Sequence, residues 1–250
     1  VVIGPAESLE TESRHLKGVI MYAVGILLLQ ITAYASIIPM ILFAEWYHYL
    51  IALFMYFMNG CLGMIMGYHR LLTHRSFECP IWFERFITLC ATIGLTGPAI
   101  DWVAIHKAHH RFADTEKDPH SPDHLGVFRV HFLTMFAKID IKYAGRLLRD
   151  KFLLFQRKYY FALNLIFATA LFFIDPFALV YAWLFPAAVL ILLGTSILSI
   201  NHRSNKPHDS IIHGLLTWGD GFHKTHHENP NKVRLHKYDI CGFLIEKWFA

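Results

Sequence analysis

Cysteine, charge and the glycine patterns of nucleotide folds are all scarce in this chain. Its four cysteines, Cys61, Cys79, Cys90 and Cys241, are scattered and form no CxxC pair. That spacing gives no support to an iron–sulfur site, a zinc ribbon or a disulfide framework. No GxGxxG, P-loop or GxSxG motif occurs, so nothing points to a dinucleotide, a nucleoside triphosphate or a serine hydrolase. Only 17% of residues are charged, against about 25% in a soluble domain. The net charge of +4 includes no Lys/Arg run, which argues against a nucleic-acid partner. The chain begins Val-Val-Ile-Gly-Pro, without Met, and shows no charged-then-apolar signal-peptide pattern.

What is present is apolar and arranged in blocks. Four stretches, residues 19–43, 49–67, 159–174 and 177–201, carry no Asp, Glu, Lys, Arg or His. Each approaches the roughly 20 residues that cross a ~30 Å hydrocarbon core. Glu45-Trp46-Tyr47-His48 separates the first two and Asp175-Pro176 the last two. The expected fold is therefore an all-α integral membrane protein of four transmembrane helices in two hairpins. A cytoplasmic helical cap, residues 68–158 and 202–250, completes a single domain. All 23 Lys/Arg fall in the N-terminal tail (Arg14 and Lys17), the central stretch or the C-terminal tail, and none in a hairpin turn. The positive-inside rule then puts both termini and the whole cap on the cytoplasmic side. Residues 81–102 are apolar but carry Glu84 and Arg85, and are read as a helix lying against the membrane interface. His48 reads as an ordinary interfacial side chain.

Three histidine clusters stand in the cap: His69-Arg-Leu-Leu-Thr-His74, His106-Lys-Ala-His109-His110 and His223-Lys-Thr-His226-His227. On a helix, HxxHH turns all three rings toward one face. Two such triplets offer six imidazoles to one cavity, and imidazole is a general ligand for transition metals. Eight such residues exceed what one ion takes, so two ions are expected. His69 and His74 are five apart, about 140° around an α-helix. They share a site only if the helix ends or bends between them, or if they grip from two sides. Histidine-bound redox metals beside lipid suggest O2 activation and attack on an unactivated C–H bond. A His-rich metal transporter would instead need ionisable residues inside the spans, and none precedes His202.

These boxes, with Arg75-Ser76-Phe77 after the first, Trp102 before the second, Asp118-Pro119-His120 after it, and Gly219-Asp220-Gly221-Phe222 before the third, resemble the membrane fatty-acid desaturases. The resemblance is to the stearoyl-CoA (Δ9-type) branch and its bacterial relatives, and runs from about residue 19 to the end. It implies an O2-dependent oxidoreductase that introduces a cis double bond into a saturated acyl chain carried on CoA, acyl carrier protein or lipid. It implies two Fe ions, which Zn can replace on purification, held by His69, His74, His106, His109, His110, His202, His223, His226 and His227. No catalytic group beyond these ligands is expected. His202 enters as the family's ninth ligand, at the end of the fourth span. The resemblance also implies an acyl tunnel. Trp102, Gly194 and Thr195 flank the substrate kink, and Phe57, Cys61 and Ile65 lie along a four-residue ladder from His69. Three positions depart from the family pattern. Leu198 stands where the family has Asn, and Gly194 and Thr195 where it has Thr-Trp. They keep open a same-fold hydroxylase, terminal desaturase or acetylenase acting on a medium chain. Electrons are expected from cytochrome b5 or ferredoxin with its reductase. His15, His120, His124, His131, His208, His213 and His236 are read as structural or solvated.

Overall fold

The computed structural model describes residues 5–137, 140–202, 204 and 206–249, with side chains from residue 18 onward. The side chains of Arg14, His15 and Lys17, assigned above to the cytoplasmic face or to solvent, lie outside the described residues. Among the described residues the regular elements are all helices, joined by turns and loops, apart from two isolated bridges, His202 with Pro207 and Asp209 with Phe222. Three helical runs are long and apolar enough to cross a membrane: Gly18–Phe43, Trp46–His74 and Val180–Ile200. A fourth is reached if Lys151–Lys158 and Tyr160–Ile174, bent by 71° at Tyr159, count as one span.

The first span is broken at Ser36, between helices Pro5–Ala35 and Ile37–Phe43. Pro39 explains the break, because its ring collides with the carbonyl four residues earlier, that of Ala35. Between the first two spans, His48 is not a free interfacial side chain. It is only 8% exposed, and its Nδ1 accepts the Glu45 N–H at 2.8 Å, half of a capping box that starts helix Trp46–Tyr56. Its ring is held among Tyr47, Tyr181 and Phe177, which ties the two hairpin turns together.

The second span changes character halfway. Trp46–Tyr56 is α-helical and faces outward along much of its length, with Leu53 56% and Phe54 58% exposed. Phe57–His74 is π-helical, and every residue from Asn59 to Thr73 is buried. Gly63 permits the closest approach: a Cβ there would stand 2.4 Å from the Ala91 backbone nitrogen. The π-helix ends at Arg75, which adopts a left-handed φ of 55°.

Residues 81–102 do not form one interfacial helix. Helix Ile81–Thr92 descends along the second span, breaks, and returns as Ala99–Phe112. The break contains Gly97 at φ 96° followed by Pro98, and Pro disfavours helical geometry before it. Its buried backbone groups are paired by side chains from the surrounding helices. Gln30 donates to the Leu95 carbonyl and Trp183 to that of Ile93. The Gly97 N–H donates to the Tyr160 hydroxyl, and the Ala99 N–H to Gln156 Oε1. Leu95 is fully buried against Ala33, Trp183 and Ala187 of the first and fourth spans. Non-helical backbone survives among spans only where protein satisfies it. The hairpin is therefore inserted between the spans, and it lifts the second histidine box from inside the bundle.

Candidate metal centre

The π-helix solves the problem of the first histidine box. Hydrogen bonds from residue i to i+5 bring positions five apart onto successive turns of one face. His69 and His74 consequently lie with ring centroids 5.0 Å apart. Phe57 packs edge-on against Trp218 at 5.5 Å. Cys61 is fully buried, and its carbonyl accepts a weak bond from the Cys241 thiol at 3.7 Å. Ile65 is buried in the core shared by the second span and the Ile81–Thr92 hairpin arm.

The nine histidines converge in two neighbouring groups. The ligand atoms of His69, His74, His106, His110 and His226 all lie within 4.8 Å of one another, and so do those of His109, His202, His223 and His227. In the first group, Nε2 atoms are 3.0 Å apart for His69–His226, 3.1 Å for His74–His106 and 2.9 Å for His226–His110. In the second they are 2.8 Å apart for His202–His223 and 3.2 Å for His109–His227 and for His223–His227. The groups touch through His110 and His227, stacked at 4.4 Å.

Carboxylates behind the rings decide what these contacts are. His109 Nδ1 donates to Asp118 Oδ1 at 2.8 Å, and His202 Nδ1 to Asp114 Oδ1 at 2.9 Å. His69 Nδ1 lies 2.8 Å from Asp220 Oδ1, close enough for an ion pair but off the line of a straight hydrogen bond. An ionised carboxylate only accepts, so the proton sits on Nδ1 and the Nε2 lone pair points inward. His109 and His202 thus each turn an unprotonated Nε2 toward the other rings of their group, free to bind a cation. Ligands at 2.0–2.1 Å from one ion, set at right angles, are themselves about 3 Å apart. The donor set therefore fits one transition-metal ion in each group.

Electrostatics agree. Burial, and then the crowding of neighbouring imidazoles, hold His106, His223 and His226 well below the ordinary histidine pKa and push His227 down to about 2. The rings are thus neutral and available as ligands. Burial would raise the Asp118 carboxyl, but hydrogen bonds from His109 and from the His120 and Asp114 N–H groups hold it below the usual range. It stays ionised behind His109.

Of the other residues singled out from sequence, Trp102 meets the centre directly. It stacks on His106 at 4.8 Å and 13° and touches His69 at 6.0 Å. Gly194 faces open space, with no atom within 4 Å of an added Cβ, and the Thr195 hydroxyl donates to the Ile191 carbonyl. Phe57 and Cys61 lie below the centre, among Trp218 and Cys241. Leu198 is half-buried, and its neighbour Ser199 pairs with His131 Nδ1 at 3.1 Å. His120 is buried behind His109, with Nδ1 unpartnered.

Several residues that shape the site carried no role in the sequence reading. Asp114, Asp118 and Asp220 are three, and their signal is the rule that a metal-ligating imidazole is oriented by a carboxylate on its other nitrogen. Arg70 and Asp239 form a buried pair at 2.8 Å, with Arg70 also donating to the Val233 carbonyl at 2.5 Å. This pair fastens the helix of the first box to the C-terminal segment. Beneath Trp102, Gln156 donates to the Tyr68 hydroxyl and to Thr92 Oγ1.

A model of the fatty acid desaturase family matches residues 44–241. The chain is 28% identical over 192 residues to an sn-1 stearoyl-lipid 9-desaturase of Anabaena variabilis, covering 71% of this chain and 70% of that protein. It is 29% identical to an sn-1 stearoyl-lipid 9-desaturase of Synechocystis sp., covering 77% and 64% respectively. It is 30% identical to an sn-2 palmitoyl-lipid 9-desaturase of Nostoc sp., covering 77% and 73%.

Proposed function

Since this chain belongs to the fatty acid desaturase family and is an oxidoreductase acting on fatty acyl chains, we propose that it forms a cis double bond of the Δ9 type in a saturated acyl chain. The observation that carries this reading is the pair of adjacent imidazole cages, one of five and one of four rings. Two Fe ions are the proposed occupants, His69, His74, His106, His110 and His226 holding one and His109, His202, His223 and His227 the other. Zn can take their place in purified protein, because affinity order alone does not favour iron. When bound, the iron pair supplies O2-dependent removal of two hydrogens from the chain.

The protein's own groups hold and orient. Asp114, Asp118 and Asp220 fix the ring orientations of His202, His109 and His69. Trp102, flat against His106, forms a wall beside the cages. Gly194 and Thr195 on the fourth span are proposed to face the acyl chain at its bend, and Phe57, Cys61 and Ile65 to bound it further down. The relatives named above act on lipid-bound chains, so lipid is the proposed carrier here, with CoA and acyl carrier protein as the other possible forms. Electrons are proposed to come from cytochrome b5 or from ferredoxin with its reductase. The proposed topology is a single domain of four spans in two hairpins, with both termini and the histidine boxes cytoplasmic. The distribution of Lys/Arg supports it.

The test is expression in cells that lack Δ9 desaturation, followed by mapping of double-bond positions in the fatty acids. A new Δ9 monoene that disappears with His106→Ala is the expected outcome. Hydroxylated or acetylenic products, or no product from protein that retains two irons, would overturn the reading.

A further inference from the structure

Helix Ile211–Leu216 joins the element bearing His202 to the one bearing His223, and its two faces are opposite in character. The inner face is tied down. His213 Nδ1 donates to Asn201 Oδ1 at 2.6 Å, and Gly214 is pressed against the Phe222 ring so closely that a Cβ would stand 2.5 Å from it. The outer face is wholly apolar and uncovered: Ile211 is 54%, Ile212 70%, Leu215 46% and Leu216 47% exposed. Water is a poor neighbour for four such side chains in one patch, and patches of this kind mark interaction surfaces.

The height of the helix on the molecule says what covers it. The Tyr56 hydroxyl donates to the Leu216 carbonyl at 2.5 Å, and the next ring, Trp218, packs on Tyr56 at 5.3 Å. Tyr56 is ten residues along an α-helix from Trp46, about 15 Å at 1.5 Å per residue. Trp46, Tyr47 and Tyr49 are exposed at the far end of that helix, as expected of aromatic residues at one membrane–water boundary. A hydrocarbon core is about 30 Å thick, so the level of Leu216 falls inside it. Leu50, Leu53 and Phe54 on the same helix, and Ile200 at the end of the fourth span, are exposed too. The apolar face of 211–216 continues this lipid-facing belt.

We propose that helix Ile211–Leu216 is immersed in the bilayer, its outer face covered by lipid acyl chains. The segment between His202 and His223 then leaves the cap and dips into the membrane, and lipid anchors the four-histidine cage from both of its flanks. This goes beyond the desaturase reading. It depends on the membrane-spanning second helix and not on the reaction.

The test uses full-length, metal-loaded protein in phosphatidylcholine vesicles. Cys79→Ser removes the one half-buried native thiol, and Ile212→Cys is labelled with an environment-sensitive fluorophore. Phe173→Cys, at an 82% exposed position of the third span, is the lipid reference, and Lys232→Cys, at an exposed cap position, is the aqueous one. Quenching at position 212 by nitroxide-bearing acyl chains, at least half as strong as at 173, with iodide having little effect, is the expected result. Iodide quenching like that at 232, or protection from both quenchers through burial in protein, overturns the proposal. Leu215→Cys repeats the measurement should the first variant fail to fold.

Discussion

His69 and His74 stand ring to ring at 5.0 Å because the helix that carries them has a five-residue hydrogen-bond repeat. In an α-helix the two would diverge. The π-helix is thus a requirement of the metal cage, in keeping with the association of π-bulges with functional sites. Here the π geometry extends over the whole 18-residue segment from Phe57 to His74.

The carboxylates behind the rings should matter almost as much as the rings. Asp118→Asn and Asp220→Asn each leave all nine histidines in place, yet loss of such a partner lowers metal affinity about 10–100-fold. Metal per protein, measured after titration with a chelator, checks this. Wild-type retention in both variants would show that the carboxylates do not orient the rings.

Arg70 and Asp239 are both almost fully buried. Removing one partner strands a charge, and such a change costs about 3–5 kcal/mol. Arg70→Met and Asp239→Leu should each lower the unfolding midpoint in detergent sharply. The double variant should regain much of the loss, because no uncompensated charge remains. Additive losses would mean that the pair acts through its other hydrogen bonds.

Acidification should release metal and loosen the fold together. Burial and neighbouring imidazoles hold His106, His223 and His226 well below the unfolded value of about 6.5, and take His227 to about 2. Below pH 6.5 the unfolded chain binds protons that the folded chain refuses. Their neutral burial therefore favours the fold fully above that pH, and the advantage is lost progressively as pH falls toward the folded values. Each such group contributes about 1.4 kcal/mol per pH unit in that window. Unfolding midpoints of apo and metal-loaded protein from pH 7.5 to 5 provide the check. A flat apo profile would contradict neutral burial.

Phe57→Ala should let longer acyl chains react, and Cys61→Phe should shorten or block the accepted chain while leaving metal bound. Both changes disturb packing: Phe→Ala in a core costs about 3–5 kcal/mol and overfilling about 1–3 kcal/mol. Products must accordingly be normalised to folded, metallated protein. Unchanged chain-length preference in both variants would remove these residues from the acyl path.

Much of this was legible in the residues. Uncharged runs marked three helices long and apolar enough to cross a membrane, and box spacing with the family pattern picked out the nine histidines that converge in two groups. What escaped was set by contacts distant in sequence or by an unusual local repeat. The five-residue spacing of His69 and His74 raised a geometric conflict, but no apolar period signals a π-helix. The break in 81–102 falls at Gly97 and Pro98. Its depth depends on Gln30, Trp183 and Tyr160, which lie far away in the chain. Asp114 and Asp118 follow the second box, yet His202, which pairs with Asp114, is 88 residues on. His48 looked like a boundary residue because Phe177 and Tyr181, which complete its aromatic cradle, lie far along the chain.

The interleaving of the two cages fixes an order of manufacture. The five-ring cage lacks His226, and the four-ring cage lacks His202, His223 and His227, until the last part of the chain has been made. A nascent polypeptide that ends before His202 carries four of the five rings of one group, His69, His74, His106 and His110, but only His109 of the other. The four-ring group can therefore take up an ion only once the apolar helix Val180–Ile200 and the histidines beyond it have been made.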